Sequence, residues 1–181
     1  GIYHIIISKE GVFVMNNYLS QYFIHLDTMA LLPAKHHLYG THVVEFDKEV
    51  FVKDTPLDLI KGVLLHNYSS LEATRRTVKL HTGYWKKVPI PIYLGELYMF
   101  PTHAMVHFDC CWIAYHHVSE IRDGSHSEEA IVLFKNGQEI KFPVSASSLR
   151  RQRKRTRVVK RNSVQIREHM LRRPLSPKIL T

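Results

Sequence analysis

Apolar and polar positions alternate in short bursts along most of this chain. The runs IYHIII, GVFVM, YFIHL, THVVEF, EVFV and IPIYL are rich in Val, Ile, Tyr and Phe and are separated by turn residues. None is long enough for a useful helix, so each predicts a β-strand. In AIVLFKNGQEIKFPV two half-apolar runs flank Asn136-Gly137. That pair tolerates positive φ at both centres of a type I′ turn, so the segment predicts a hairpin. FDCCWIAYHHVSE reads as one long strand, with Cys110, Trp112, Ala114, His116 and Val118 on one face and Cys111, Ile113, Tyr115 and His117 on the other. The run Pro56–Ile60 fits a short helix capped by Thr55 with Pro56 at its first position, and it fits a strand as well.

The period changes after Pro143. SASS offers N-caps, and neither Gly nor Pro interrupts the chain until Pro174. Arg150, Lys154, Arg157 and Arg161 fall on one helical face, with Val159, Ile166 and Met170 roughly opposite. This predicts a helix with a cationic stripe and a weak apolar stripe that docks it on the body or on a second subunit. The expected fold is therefore a single α+β unit, with a predominantly antiparallel β body over 1–148 and a basic C-terminal helix or tail over 149–181. Phe100, Trp112, Phe134 and Phe142 are assigned to the core.

Charge sharpens the division. Twelve of the 25 Lys and Arg residues follow Leu149, where Glu168 is the one acid, leaving 13 basic and 15 acidic residues before it. The net charge of +9 thus comes wholly from the tail, and most densely from SSLRRQRKRTRVVKR. Such a cluster repels itself and cannot be buried without counter-charges. A free segment of this kind is prone to fray, so ordering on a polyanion would be part of binding. Duplex DNA offers about one charge per 1.7 Å of axis. The candidate contacts are Arg150, Arg151, Arg153, Lys154, Arg155, Arg157, Lys160 and Arg161. Arg75, Arg76 and Lys79 form a second basic group, with Trp85-Lys86-Lys87 close behind; on strands such residues often serve only as edge protection.

Other classes fit less well. The 45% apolar content suits a globular protein, and no apolar run approaches the roughly 20 residues of a membrane span. The opening IYHIII lacks a charged leader and a cleavage site, so it is not expected to be a signal peptide. Two adjacent cysteines do not make a disulfide framework, which points to a reducing cytoplasm. His103, His107, Cys110, Cys111, His116 and His117 crowd together, but one His-x-x-Cys pair does not complete a zinc tetrahedron. Two adjacent histidines of a strand also point to opposite faces. No metal, cofactor or catalytic residue is therefore assigned. A Cys–His thiol enzyme would need an activating environment and an oxyanion loop that the sequence does not offer. RNA or an anionic surface remains the alternative partner, although no aromatic residue interleaves with the basic run and its apolar stripe lacks Trp, Phe or Leu.

From Thr41 to about Val159 the chain resembles the bacterial competence transcription factor family, ComK. The likeness rests on ordered pieces: VFV, PLDLI, NYSS, VPIPI, MFPT, CCWIAYHHVSE, VLFKNGQEIKFPVSASS and the QRKRT ending at Thr156. Family members place glycines after the SS pair, where this chain reads SSLEATRRTV, and tend to have His where Tyr115 stands. The first 40 residues align poorly with the family, and nothing is carried onto them. The likeness implies a cytoplasmic, nucleoid-associated activator of DNA-uptake and recombination genes. It further implies binding to paired A/T-rich boxes of double-stranded DNA, largely through the minor groove, as a homo-oligomer. Proteolysis through an adaptor protein is also implied. Narrow A-tract grooves attract Arg, whose planar guanidinium is weakly hydrated.

Overall fold

The computed structural model describes residues 3–8, 11–16 and 22–172, the first two segments by their backbone alone. Alternation produces strands where it was expected. IYHIII and GVFVM become β1 (Tyr3–Ser8) and β2 (Gly11–Asn16), THVVEF becomes β4 (Thr41–Glu45), EVFV becomes β5 (Glu49–Val52) and IPIYL becomes β6 (Ile90–Tyr93). Two further strands, β3 (Thr28–Pro33) and β7 (Leu97–Pro101), were not predicted. TMALLP and LYMFP do not alternate because both of their faces are covered, and such a run has no period to read. YFIHL, by contrast, is not a strand. Residues 22–25 run irregularly into the turn that opens β3.

With β8 (Trp112–Ala114), the described residues form an eight-stranded sheet in the order β2-β1-β5-β4-β3-β8-β7-β6. A second sheet, β11-β10-β9, is built from β9 (Val118–Asp123), β10 (Ala130–Phe134) and β11 (Glu139–Phe142). Neighbouring strands in both sheets pair antiparallel. The fold is thus α+β with a mostly β body.

The long strand expected over FDCCWIAYHHVSE is broken. A 3-10 turn, Tyr115–His117, ends β8, and β9 leaves for the other sheet. Before the break, alternation holds: Cys110, Trp112 and Ala114 enter one core, and Cys111 and Ile113 the other. After it Val118 joins Cys111 and Ile113 rather than Trp112, so the turn shifts the phase. The hairpin is present, but its turn differs from the type I′ expectation. Gly137 alone takes positive φ (87°), and its N–H bonds the Phe134 carbonyl at 2.9 Å. Asn136 instead uses its side chain, accepting from the Gln138 N–H at 3.0 Å and donating to the Phe46 carbonyl at 2.8 Å.

Pro56 does open a helix, α1 (Pro56–His66), and Thr55 accepts the Asp58 N–H at 3.2 Å. The segment SSLEATRRTV forms α2 (Leu71–Thr82), capped by Ser70 and closed by Gly83 at φ 76°. Arg75, Arg76 and Lys79 therefore sit on a helix, which removes the strand-edge explanation.

Leu59, Ile60, Val63 and Leu64 of α1, with Val78 of α2, cover one face of the large sheet. Ile121, Val132, Phe134 and Phe142 of the small sheet join a separate core with Val44, Phe100 and Ile113. Phe100, Trp112, Phe134 and Phe142 are all fully buried. The last element, α3 (Ala146–Leu171), bridges the two cores, with Leu149 in one and Val159 in the other.

Candidate nucleic-acid interface

Local electrostatics do not favour α3. Its first turn carries no acid, and its cations crowd the N-terminal half, against the helix dipole. Ser145 caps it by accepting the Ser148 N–H at 3.3 Å. What holds it is burial. Leu149, Gln152, Thr156 and Val159 recur at helical spacing and are all buried. Gln152 donates through Nε2 to the carbonyls of Lys87 at 2.9 Å and Pro101 at 2.8 Å, and Thr156 donates to the Gln152 carbonyl at 2.7 Å. The docked stripe is therefore half polar but satisfied, and an apolar pattern search passes over it.

The expected apolar stripe fits only in part. Val159 is buried and Ile166 half-buried, whereas Met170 is largely exposed at the rim of a groove of about 750 Å³ between α2 and α3. Thr77 and His81 of α2 line the opposite wall. The stripe docks α3 on its own body.

Seven of the eight candidate cations separate into two kinds, and Lys160 stands apart. Arg153 donates to the carbonyls of Val118 at 3.1 Å and Ser119 at 3.2 Å. Arg150, though on the outward face, bends to the Ile121 carbonyl at 3.1 Å and to Asp123 at 3.4 Å. Arg155 donates to Lys86 O at 2.7 Å, Lys87 O at 3.4 Å and Gln152 Oε1 at 2.8 Å. It also lies 4.4 Å over the Tyr84 ring. Burial draws its pKa below the ordinary arginine value, opposed by Tyr84 and reinforced by the Arg151 charge. These three arginines clamp the helix to β9 on one flank and to the Tyr84–Lys87 loop on the other.

Arg151, Lys154, Arg157 and Arg161 are exposed, and their side chains have no partner among the described residues. Lys160 is half-buried beside Asp27, Glu96, His116 and His117. On α2, Arg75, Arg76 and Lys79 are exposed on the face turned away from the groove, so that groove does not join them to α3. The structure instead brings Trp85-Lys86-Lys87 against α3 through Arg155 and Gln152. The sequence contained this loop, but no local spacing reveals a contact between residues so far apart in the chain.

The histidine and cysteine cluster resolves into ordinary packing. His116 and His117 do not point to opposite faces as a strand would require. Within the 3-10 turn both Nε2 atoms reach the Leu26 carbonyl, at 2.9 and 2.6 Å, with ring centroids 4.1 Å apart. Cys110 and Cys111 are buried, and burial pushes the Cys111 thiol up to about 12 and raises Cys110 as well. Neither is a ready thiolate at neutral pH. Among the described residues, no group of three or more His, Cys, Asp or Glu converges on a metal position. No helix among them is long and apolar enough to cross a membrane.

The family model described as ComK protein matches residues 19–168, which spans both cores and nearly all of α3. The chain belongs to the ComK family. A relative named competence transcription factor, from Bacillus subtilis (strain 168), is 26% identical over 142 residues, covering 76% of this chain and 72% of that protein. No solved structure matches. The match begins well before Thr41, so this ComK family member shares more of its N-terminal half with the family than the ordered motifs alone indicated.

Proposed function

We propose that this ComK family member is a competence transcription factor that acts by binding double-stranded DNA without catalysis. The observation that carries the reading is the outward face of α3. Arg151, Lys154, Arg157 and Arg161 project from a docked helix with no ion-pair partner among the described residues, on a body whose own charge is slightly negative. A row of like charges held in solvent at little cost to the fold focuses a field that attracts a polyanion. Three of its four members, or all but Lys154, are arginines, which suits the narrow minor groove of A/T-rich DNA. Paired A/T-rich boxes, oligomeric binding, activation of DNA-uptake genes in the cytoplasm and turnover through a proteolytic adaptor follow from the family resemblance.

The test is selection of binding sites from random duplexes at two salt concentrations. Enrichment of paired A/T-rich boxes, displaced by the minor-groove ligand netropsin, is the expected result. Recovery of no common sequence, or block by major-groove methylation with netropsin inert, overturns the proposed specificity.

A further inference from the structure

The loop between α2 and β6 carries an exposed indole that the fold takes trouble to hold in place. Its two tryptophans divide cleanly: Trp112 is fully buried, whereas Trp85 is 59% exposed. An isolated exposed apolar residue needs no explanation, but this one sits on an over-determined loop. The Lys87 carbonyl is bound by the buried Gln152 amide at 2.9 Å, and the Lys86 carbonyl by Arg155 at 2.7 Å. Arg155 also stacks on Tyr84, so one guanidinium fixes the residues on both sides of Trp85. Lys87 itself is held at φ 46°, a left-handed conformation that a residue with a side chain adopts only under constraint. Lys86 Nζ lies 4.4 Å from the centre of the indole, placing a cation on the aromatic face.

The loop meets the flank of α3 that carries Arg151 and Arg155, at the margin of the unpaired cationic row. A rigid aromatic edge beside guanidinium groups is what a minor-groove contact needs, because apolar side chains wedge against base steps while the cations hold the phosphates. Resting on the DNA-binding reading above, we infer that Trp85 is the apolar contact of this interface, entering the minor groove of duplex DNA beside the α3 arginines. It supplies affinity that salt does not screen, whereas Arg151, Lys154, Arg157 and Arg161 supply the part that salt does.

The experiment uses the whole chain and A/T-rich duplexes carrying a fluorescent label, with binding read by anisotropy. Trp85 fluorescence and its quenching by acrylamide are followed in the same titration; buried Trp112 contributes a constant background. On binding, Trp85 emission should change and its access to acrylamide fall. Trp85→Ala should weaken binding about tenfold, within the range of a base–aromatic contact, and leave the slope of log K against log salt unchanged. Trp85→Phe should recover part of the loss. If labelled DNA binds while Trp85 stays fully quenchable and Trp85→Ala binds as wild type does, the inference is wrong and the DNA-binding reading stands. If Trp85→Ala flattens the salt slope, the residue acts through the cations and the inference is equally wrong. If single-stranded RNA protects Trp85 more than duplex does, the wedge assignment falls. If no duplex binds at all, the function itself has been misread.

Discussion

Arg155 and Arg157 stand two residues apart on α3 and differ in what surrounds them. Arg155 is half-buried, stacked on Tyr84 and bonded to two loop carbonyls. Arg157 is exposed and has no hydrogen-bond or ion-pair partner among the described residues. Across the helix the contrast repeats, with Leu149, Gln152, Thr156 and Val159 buried while Arg151, Lys154 and Arg161 are exposed. A single basic run therefore serves two purposes, and position around the helix decides which. Net charge measures neither. Three of the eight cations fasten the helix, and that fastening lets four others hold a fixed row instead of a fraying tail.

The comparison breaks first where burial is greatest. Leu149→Ala should destabilise the protein by about 2–5 kcal/mol, because it leaves a cavity in the second core. Thermal or denaturant unfolding reads this, and the salt dependence of binding by the surviving folded protein should stay as in wild type. Gln152→Ala should cost about 1–3 kcal/mol, since the carbonyls of Lys87 and Pro101 lose the Gln152 amide and Arg155 loses the Gln152 Oε1 acceptor. A neutral Gln152→Ala would mean that water replaces the amide and that the loop is not held by α3.

A direct comparison of the two arginines sharpens the point. Arg155→Ala should lose about 1–2 kcal/mol of stability through the stacked ring and the loop carbonyls. Arg157→Ala should move stability by less than about 0.5 kcal/mol, yet flatten the salt slope of binding by about 0.9. Equal melting losses for the two variants would erase the distinction between the faces.

The smallest expected effect lies in the body, away from the exposed cations of α3, and is a control. Glu45 is buried, which pushes its carboxyl up, but hydrogen bonds from His25 at 2.8 Å and Tyr22 at 2.8 Å outweigh burial and hold it below the ordinary value. The Glu45 hydrogen bond raises the His25 pKa in turn, against some desolvation. A raised folded-state pKa means that His25 contributes stability below about pH 6.5, and the contribution is lost as pH rises through the higher folded value. His25→Gln should therefore melt lower than wild type at mildly acidic pH, and the gap should close at alkaline pH. A gap that widens with rising pH would contradict the pairing.

The parts of this molecule that alternate were legible from the sequence. β4, β5, the Ala130–Phe142 hairpin and the basic helix all show their period, as do the ordered motifs that mark the family. The doubly covered strands β3 and β7 were not legible, because a strand buried on both faces has no polar positions to set its phase. The break at Tyr115–His117 was hidden for a related reason, since the 3-10 turn is written in residues that also suit a strand. On α3 the sequence placed Arg150, Lys154, Arg157 and Arg161 on one face, but Arg150 bends back to β9 and Arg151 stands exposed in the row instead. Which arginines bend back depends on carbonyls at Ile121, Val118 and Lys86, and those come near α3 only once both sheets have formed.

If the exposed row on α3 is the polyanion contact, the salt dependence of DNA binding reports it most directly. Arg151, Lys154, Arg157 and Arg161 replaced together by Ala should flatten the slope of log K against log salt by up to about 3.6 on B-DNA. Thermal stability should hardly change, because alanine favours the helix and the four exposed side chains have no hydrogen bond or ion pair among the described residues to lose. Wild-type and four-Ala proteins with equal salt slopes would contradict the account and move the contact surface to Arg75, Arg76 and Lys79 on α2.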